Sequence, residues 1–404
     1  MSLKAFRLEF NRSTATYIAG EIVSGNIIVD IAKEKQIRGL FVSATGKAYV
    51  HWSETDKNKT RSYTNSEKYF QLKCNIISTQ RSDLQVKLPR GYNQYPFSFQ
   101  IPYNIPCSFE HRNGYVRYTV NAVIDRPWKF NHECKAAFTV VSILDLNVHR
   151  EKCLGVNDET RKTFCCFTNG EINLQISIPS SGYVPGQMVN TIVDYVNSTN
   201  ISITRVCTKL LQKLQFHSSL KTLIENFIIT KTSQTGPFPT NGQIMSGLLI
   251  SPIPPSYLKY CSIIDVDYEL IVCIHISGMH RKIMKNYPVL IGTTPLCLPP
   301  SAPPLHNVVS NPSSSYTNEF AITPVPTSTS EKSNASSSGR RPTSIGCSRT
   351  TQHFFYLAPP SYEECVSGTQ DIRDQNESEY VFGANTPFTP RYPVFNNLEP
   401  SIRK

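Results

Sequence analysis

The residues whose type and spacing carry the clearest chemistry are Pro359-Pro360-Ser361-Tyr362, followed by Glu363-Glu364, toward the end of a 404-residue chain. The chemistry is recognition, not catalysis. Two prolines fix φ and hold the backbone in a left-handed polyproline II turn, so little entropy is lost on docking. Their rings fit the aromatic groove of a WW domain, and the tyrosine fills the neighbouring pocket. The same four letters recur at Pro254-Pro255-Ser256-Tyr257. There Ile253 and Leu258 flank them and a strand-like run starts at Tyr260, so they read as an inter-strand turn. A turn packed on a sheet cannot lay out an exposed polyproline II strip. Pro300-Ser301-Ala302-Pro303 resembles the late-domain tetrapeptides bound by the ubiquitin-variant domain of the ESCRT machinery, within a stretch that is also plain Pro-rich linker. Pro303-Pro304-Leu305-His306 has histidine where a WW ligand needs tyrosine. Tyr392-Pro393-Val394-Phe395 fits the loose Tyr-x-x-bulky pattern of clathrin-adaptor signals. Ser313–Ser315 and Ser336–Ser338 are candidates for phosphorylation.

No enzyme signature accompanies these motifs. Gly-x-Gly-x-x-Gly, Walker, Gly-x-Ser-x-Gly and HExxH patterns are all missing from the sequence, so no catalytic residue, cofactor or metal is expected. The nine histidines are scattered, and His51 and His217 read as structural strand-end residues. Cys165-Cys166 lack a second pair at metal-ligand spacing. The start, Met-Ser-Leu-Lys-Ala-Phe, lacks a secretory h-region, and no run of about eighteen apolar residues occurs. The expected location is therefore the cytoplasm, with all twelve cysteines reduced.

Composition divides the chain. Half of the 28 prolines and 17 serines fall in residues 296–404, which cannot bury enough apolar surface to offset ordering entropy; that segment is predicted to be a disordered tail. Charge divides with it. The formal charge of +11 comes from 33 Lys+Arg against 21 Asp+Glu in residues 1–295, while the tail holds 8 against 9. A basic body favours an anionic surface such as the cytoplasmic leaflet. No dense Lys/Arg run of the nucleic-acid type appears.

The elements that must carry these motifs read as β throughout residues 1–295. Alternating runs such as Ile27–Ile31, Gly46–Trp52, Tyr115–Ile124, Met188–Val196 and Ile263–Ile276 are separated by turn clusters, and no long 3.6-period segment intervenes. The pattern predicts an all-β sandwich architecture. It also repeats. A shift of 166 residues lays Tyr17, Gly20, Val23, Ile37, Lys47, His51 and Ser53 on Tyr183, Gly186, Val189, Ile203, Lys213, His217 and Ser219, 7 identities in 37 ungapped positions. A second match, at an offset of 150, lays Val116-Arg117-Tyr118 on Val266-Asp267-Tyr268. Two similar sandwiches in tandem follow, with the join near residues 147–168.

Tyr17–Val23, Gly46–Trp52, Tyr95–Pro102, Val116–Tyr118 with Asp125–Lys129, and Gly182–Gly186 resemble the arrestin-domain-containing proteins, or alpha-arrestins. The resemblance implies two immunoglobulin-like arrestin β-sandwiches, an N-domain over 1–150 and a C-domain over 165–295, followed by the tail over 296–404. It implies a non-enzymatic adaptor. In such proteins the PPxY motif recruits HECT-type ubiquitin ligases through their WW domains, a role carried here onto Pro359, Pro360 and Tyr362. The cargo would be membrane receptors or transporters, ubiquitinated and then endocytosed and sorted at endosomes, with ESCRT contact through Pro300, Ser301, Ala302 and Pro303. The alternative within the same fold is a thioredoxin-binding redox or metabolic regulator. A third kind, the phosphate-sensing arrestin, needs a buried charge network and a C-terminal strand folded back on the N-domain. No such strand is evident in the Pro/Ser-rich tail.

Overall fold

A computed structural model describes residues 3–57, 59–78, 85–164, 170–297, 371–374 and 377–395. Among these residues twenty strands alternate with turns and two short 3-10 helices. In the N-terminal half these are β1 (Leu3–Phe10), β2 (Thr16–Ile18), β3 (Ile22–Ile31), β4 (Lys35–Ile37), β5 (Gly39–Asp56), β6 (Lys59–Ser78), β7 (Val86–Leu88), β8 (Gly91–Gln100), β9 (Phe109–His111), β10 (Gly114–Asp125) and β11 (His132–Val141). In the C-terminal half they are β12 (Val156–Thr163), β13 (Glu171–Ile178), β14 (Gly182–Tyr183), β15 (Met188–Asn197), β16 (Ile203–His217), β17 (Thr222–Thr235), β18 (Asn241–Leu249), β19 (Ile264–Ile276) and β20 (Ile283–Ile291).

The two halves share one core topology, to which the second adds the edge strand β12 and the first adds β9, paired with β10, and the short pair β4-β7. The first stacks a sheet β1-β3-β8 on a sheet β2-β11-β10-β5-β6, and the second stacks β12-β13-β15-β18 on β14-β20-β19-β16-β17. Alternation along each strand sends one row of side chains inward. In β10 the inward row is Val116, Tyr118, Val120, Ala122 and Ile124, all fully buried, and in β19 it is Ile264, Val266, Tyr268, Leu270, Val272 and Ile274.

The repeat seen in sequence has a structural meaning at each matched position. Tyr17 and Tyr183 lie in two short parallel pairings, β2 with β11 and β14 with β20. Both chains then turn at a left-handed glycine, Gly20 at φ +91 and Gly186 at φ +92. A Cβ would stand 2.3 Å from the Tyr103 ring at the first and 2.2 Å from the Phe395 carbonyl oxygen at the second, so only glycine fits. Tyr118 donates its hydroxyl to the Pro106 carbonyl at 2.7 Å, and Tyr268 donates to the Pro254 carbonyl at 2.8 Å. Each bond ties a core strand to the loop that precedes it. His217 ends β16 as expected, bonded to Asp265 and Thr222. His51 instead lies inside β5, stacked beside Tyr49.

The stretch read as a join, 147–168, is not all linker. A 3-10 turn at Leu146–Lys152 leads into β12, which pairs with β13 over its whole length. Its sequence, VNDETRKT, is polar because it forms a sheet edge, where charged side chains block pairing with another chain.

Candidate interaction surfaces

The outer face of the larger N-terminal sheet carries an unusual concentration of charge. Arg117 on β10 stands directly across from Lys47 on β5. Like charges in register repel, so the face needs acids. The first is Glu110 on β9, which accepts two hydrogen bonds from Arg117, Nε to Oε1 and Nη2 to Oε2, each 2.7 Å. Both partners are buried, Arg117 at 2% side-chain exposure and Glu110 at 8%. Burial pushes the Glu110 carboxyl up, and the bidentate guanidinium draws it back. Burial wins, so the carboxyl ends above the ordinary carboxylate range, while the guanidinium keeps its charge. The Arg117 guanidinium also lies 4.0 Å over the Tyr115 ring.

The second set of acids comes from the far end of the chain. Asp374 accepts from Lys47 at 2.6 Å and from Lys135 at 3.0 Å, and Glu377 accepts from Lys135 at 3.1 Å. Burial raises the Asp374 carboxyl, but Lys47 and Lys135 together outweigh it and hold the group below the ordinary carboxylate range. The backbone follows. Phe382 donates its N–H to the Glu133 carbonyl and accepts the Lys135 N–H, at 2.9 and 2.8 Å. This pairing covers the edge of β11 at Cys134, before its parallel pairing with β2 begins. Ile372, Val381 and Ala384 are buried.

The segment then reaches the second half. Arg391 donates its N–H to Thr139 Oγ1 at 3.2 Å, and Tyr392 donates its hydroxyl to the Ser108 carbonyl at 3.0 Å. The Phe395 N–H bonds the Pro185 carbonyl at 2.9 Å. The Phe395 ring joins Leu144, Leu146, Cys153, Val184 and Leu290 in a small apolar cluster. One short stretch therefore touches both sandwiches and the chain between them.

That contact narrows the sequence expectation for 296–404: part of the tail finds its partners on the folded body instead of in a core of its own. The segment returns to the body without forming the strand that a phosphate-sensing arrestin needs. The segment is not a regular strand, which is why strand periodicity did not show it. Its signal was local. Asp371, Asp374, Glu377 and Glu379 crowd into nine residues, followed by Tyr380-Val381-Phe382, while the tail-wide charge averages near zero. The Tyr-x-x-bulky residues Tyr392 and Phe395 are buried, at 6% and 9% exposure.

The two sandwiches meet around His111. Its ring stacks on Phe216 at 5.0 Å, Arg112 pairs with Glu225 at 2.6 Å, Asn65 donates to the His217 carbonyl, and Lys221 pairs with Glu54. Burial pushes the His111 imidazole down to about 4, against the pull of Glu225. A histidine kept neutral when folded is protonated first in the unfolded chain, near pH 6.5. The stability it supports is therefore complete above that pH and is lost as pH falls toward about 4. The loss is expected to reach about 3 kcal/mol. Urea midpoints measured across this range should fall more steeply for the native chain than for His111→Phe. Equal slopes would remove His111 as the cause.

The sequence-predicted motifs divide. The Pro254–Tyr257 copy is packed in: Pro254 and Pro255 are buried, Ser256 Oγ accepts from the Ile291 N–H, and Tyr257 is left-handed at φ +71. Pro359, Pro360 and Tyr362, Pro300, Ser301, Ala302 and Pro303, the serine runs and Cys165-Cys166 all lie outside the described residues. Among the described residues no group of three or more His, Cys, Asp or Glu could hold a metal ion, and no helix is long and apolar enough to cross a membrane.

Family models for the arrestin (or S-antigen) N-terminal domain and C-terminal domain match residues 6–147 and 168–296. The chain belongs to the arrestin-domain-containing proteins. Arrestin domain-containing protein 17 of Caenorhabditis elegans is 25% identical over 436 residues, covering 98% of this chain and 100% of the relative. Arrestin domain-containing protein 4 of Mus musculus is 27% identical over 303 residues, with 72% of each chain covered. The Homo sapiens thioredoxin-interacting protein is 25% identical over 300 residues, covering 72% of this chain and 75% of the relative.

Proposed function

We propose that this arrestin-domain-containing protein is a non-enzymatic adaptor of the cytoplasm, recruited to the plasma membrane and endosomes. It brings WW-domain HECT-type ubiquitin ligases to membrane receptors or transporters. The body engages cargo, its positive charge favours the anionic leaflet, and the PPxY motif holds the ligase. Ubiquitination, endocytosis and endosomal sorting of the cargo follow. Pro300, Ser301, Ala302 and Pro303 would add an ESCRT contact.

The observation that carries this reading is the placement of Pro359, Pro360 and Tyr362 in an arrestin-domain chain. Tyr362 stands nine residues before Asp371 in sequence. Nine residues of chain span at most about 30 Å. A WW domain gripped there is held close to the N-terminal sandwich, at a raised effective concentration toward cargo on the body.

The test is capture of isolated WW domains of HECT-type ligases by the purified full chain. Tyr362→Ala empties the tyrosine pocket and should weaken capture by about tenfold or more. Tyr257→Ala, in the copy whose two prolines are buried, should leave capture unchanged. Undiminished capture by Tyr362→Ala would remove the mechanism.

The human relative, a thioredoxin-interacting protein by name, supports a second reading, a thioredoxin partner. A mixed disulfide needs an accessible thiol. Among the described cysteines Cys74 and Cys297 are the exposed ones. Thiol trapping that recovers no thioredoxin adduct of either would dispose of this reading.

A further inference from the structure

The loop between β10 and β11, residues 126–131, exposes two large aromatic side chains almost completely: Trp128 is 99% accessible and Phe130 94%. Neither contributes to a core. The loop is nevertheless built. Arg126 donates its guanidinium Nε to the Phe130 carbonyl at 2.7 Å, and its backbone N–H donates to Asn131 Oδ1 at 3.3 Å. At the base, Arg38 pairs with Asp125 at 2.7 Å and neutralises the nearest carboxylate. Arg126 thus closes the loop on itself and aims Trp128, Lys129 and Phe130 outward. Trp128 sits in the left-handed region at φ +59, where glycine or asparagine is the ordinary choice. A strained, exposed tryptophan is a poor stabiliser, so its reason is sought outside the fold.

We propose that this tip is a membrane-contact element that lays Trp128 and Phe130 into the interface of an anionic bilayer. The side-chain chemistry fits that occupant. Tryptophan and phenylalanine partition to the headgroup–acyl boundary. Lys129 and Arg126 add positive charge on the same short loop, and the body behind it carries 33 Lys+Arg against 21 Asp+Glu. The tip is a protruding turn with two apolar anchors, which can enter an interface without a matching protein pocket. The inference deepens the membrane contact of the adaptor reading, and it is tested with no ligase present, so the two can fail separately.

The experiment uses the purified full chain with phosphatidylcholine vesicles, with and without phosphatidylserine. Only two tryptophans exist, Trp52 and Trp128. Trp52 is 5% exposed and stacked on Tyr63, so an emission change on vesicle addition reports Trp128. Phosphatidylserine vesicles should shift the emission to the blue, and bromine-labelled acyl chains should quench it. Co-sedimentation should weaken about tenfold in Trp128→Ala and in Phe130→Ala. Lys129→Ala should weaken it about fivefold on anionic vesicles and little on neutral ones. These side chains make no core contact, so the variants should keep the native circular dichroism spectrum. Sedimentation of Trp128→Ala equal to that of the native chain overturns the proposal and places membrane binding elsewhere. Emission unmoved by either vesicle overturns it in favour of a protein partner for the tip.

Discussion

Replacing Glu110 with alanine is expected to destabilise the N-terminal sandwich by about 3–5 kcal/mol. The pair with Arg117 is bidentate and buried, with the guanidinium at 2% exposure. Removing the carboxylate leaves that charge opposite Lys47 with no acid beside it on β9. The loss comes from the uncompensated ion, not from the pair's net worth, which burial largely cancels. The double variant Glu110→Ala with Arg117→Met should therefore recover much of the stability. Denaturant unfolding of the full chain reads both. A loss below about 1 kcal/mol for Glu110→Ala, the range of an exposed ion pair, would mean the pair is solvated and the charged face differently organised.

Lys135→Glu is expected to detach residues 371–395 from the body. Lys135 is 4% exposed and serves both Asp374 and Glu377. Reversal breaks those pairs and sets three carboxylates together, an effect of about 2–4 kcal/mol. Hydrogen exchange reads it directly. The Phe382 and Lys135 amides, bonded across the two segments, should lose protection while the amides of β10 keep theirs. Unchanged protection at Phe382 would show that the apolar contacts of Ile372 and Val381 suffice. Acid should not mimic the mutation. Asp374 is held below the ordinary carboxylate value near 4, so its contribution is present above that value and is lost only as pH falls through the lowered one. The segment should stay docked between pH 7 and pH 5.

The sandwiches were legible because their determinants are local and repeated. Tyr17 and Tyr183 mark equivalent short parallel strands, Gly20 and Gly186 mark turns that exclude a side chain, and Tyr118 and Tyr268 tie core strands to proline carbonyls. Each is a residue type with one dominant use, at a spacing that duplication preserved. The edge strand β12 was not legible. An edge strand here has charged residues where a core strand has apolar ones, so its alternation carries no hydrophobic contrast. The docked end of the tail was missed for a related reason. Its partners, Lys47, Lys135, Glu133, Thr139 and Pro185, are distant in sequence and come together only when the sheets form. A composition average over 109 residues also hid the acids at 371–379 beneath prolines and serines. Arg117 and Glu110 were individually unremarkable until β9 folded against β10.

The adaptor reading is tested most directly by proximity labelling in cells, comparing the full chain with its Tyr362→Ala variant. A single substitution is cleaner than truncation at residue 295, which would also strip Asp374, Tyr392 and Phe395 from the body. HECT-type ligases should disappear from the labelled set while membrane proteins remain. Ligases labelled equally by both chains would contradict an adaptor that grips them through its proline-tyrosine strip.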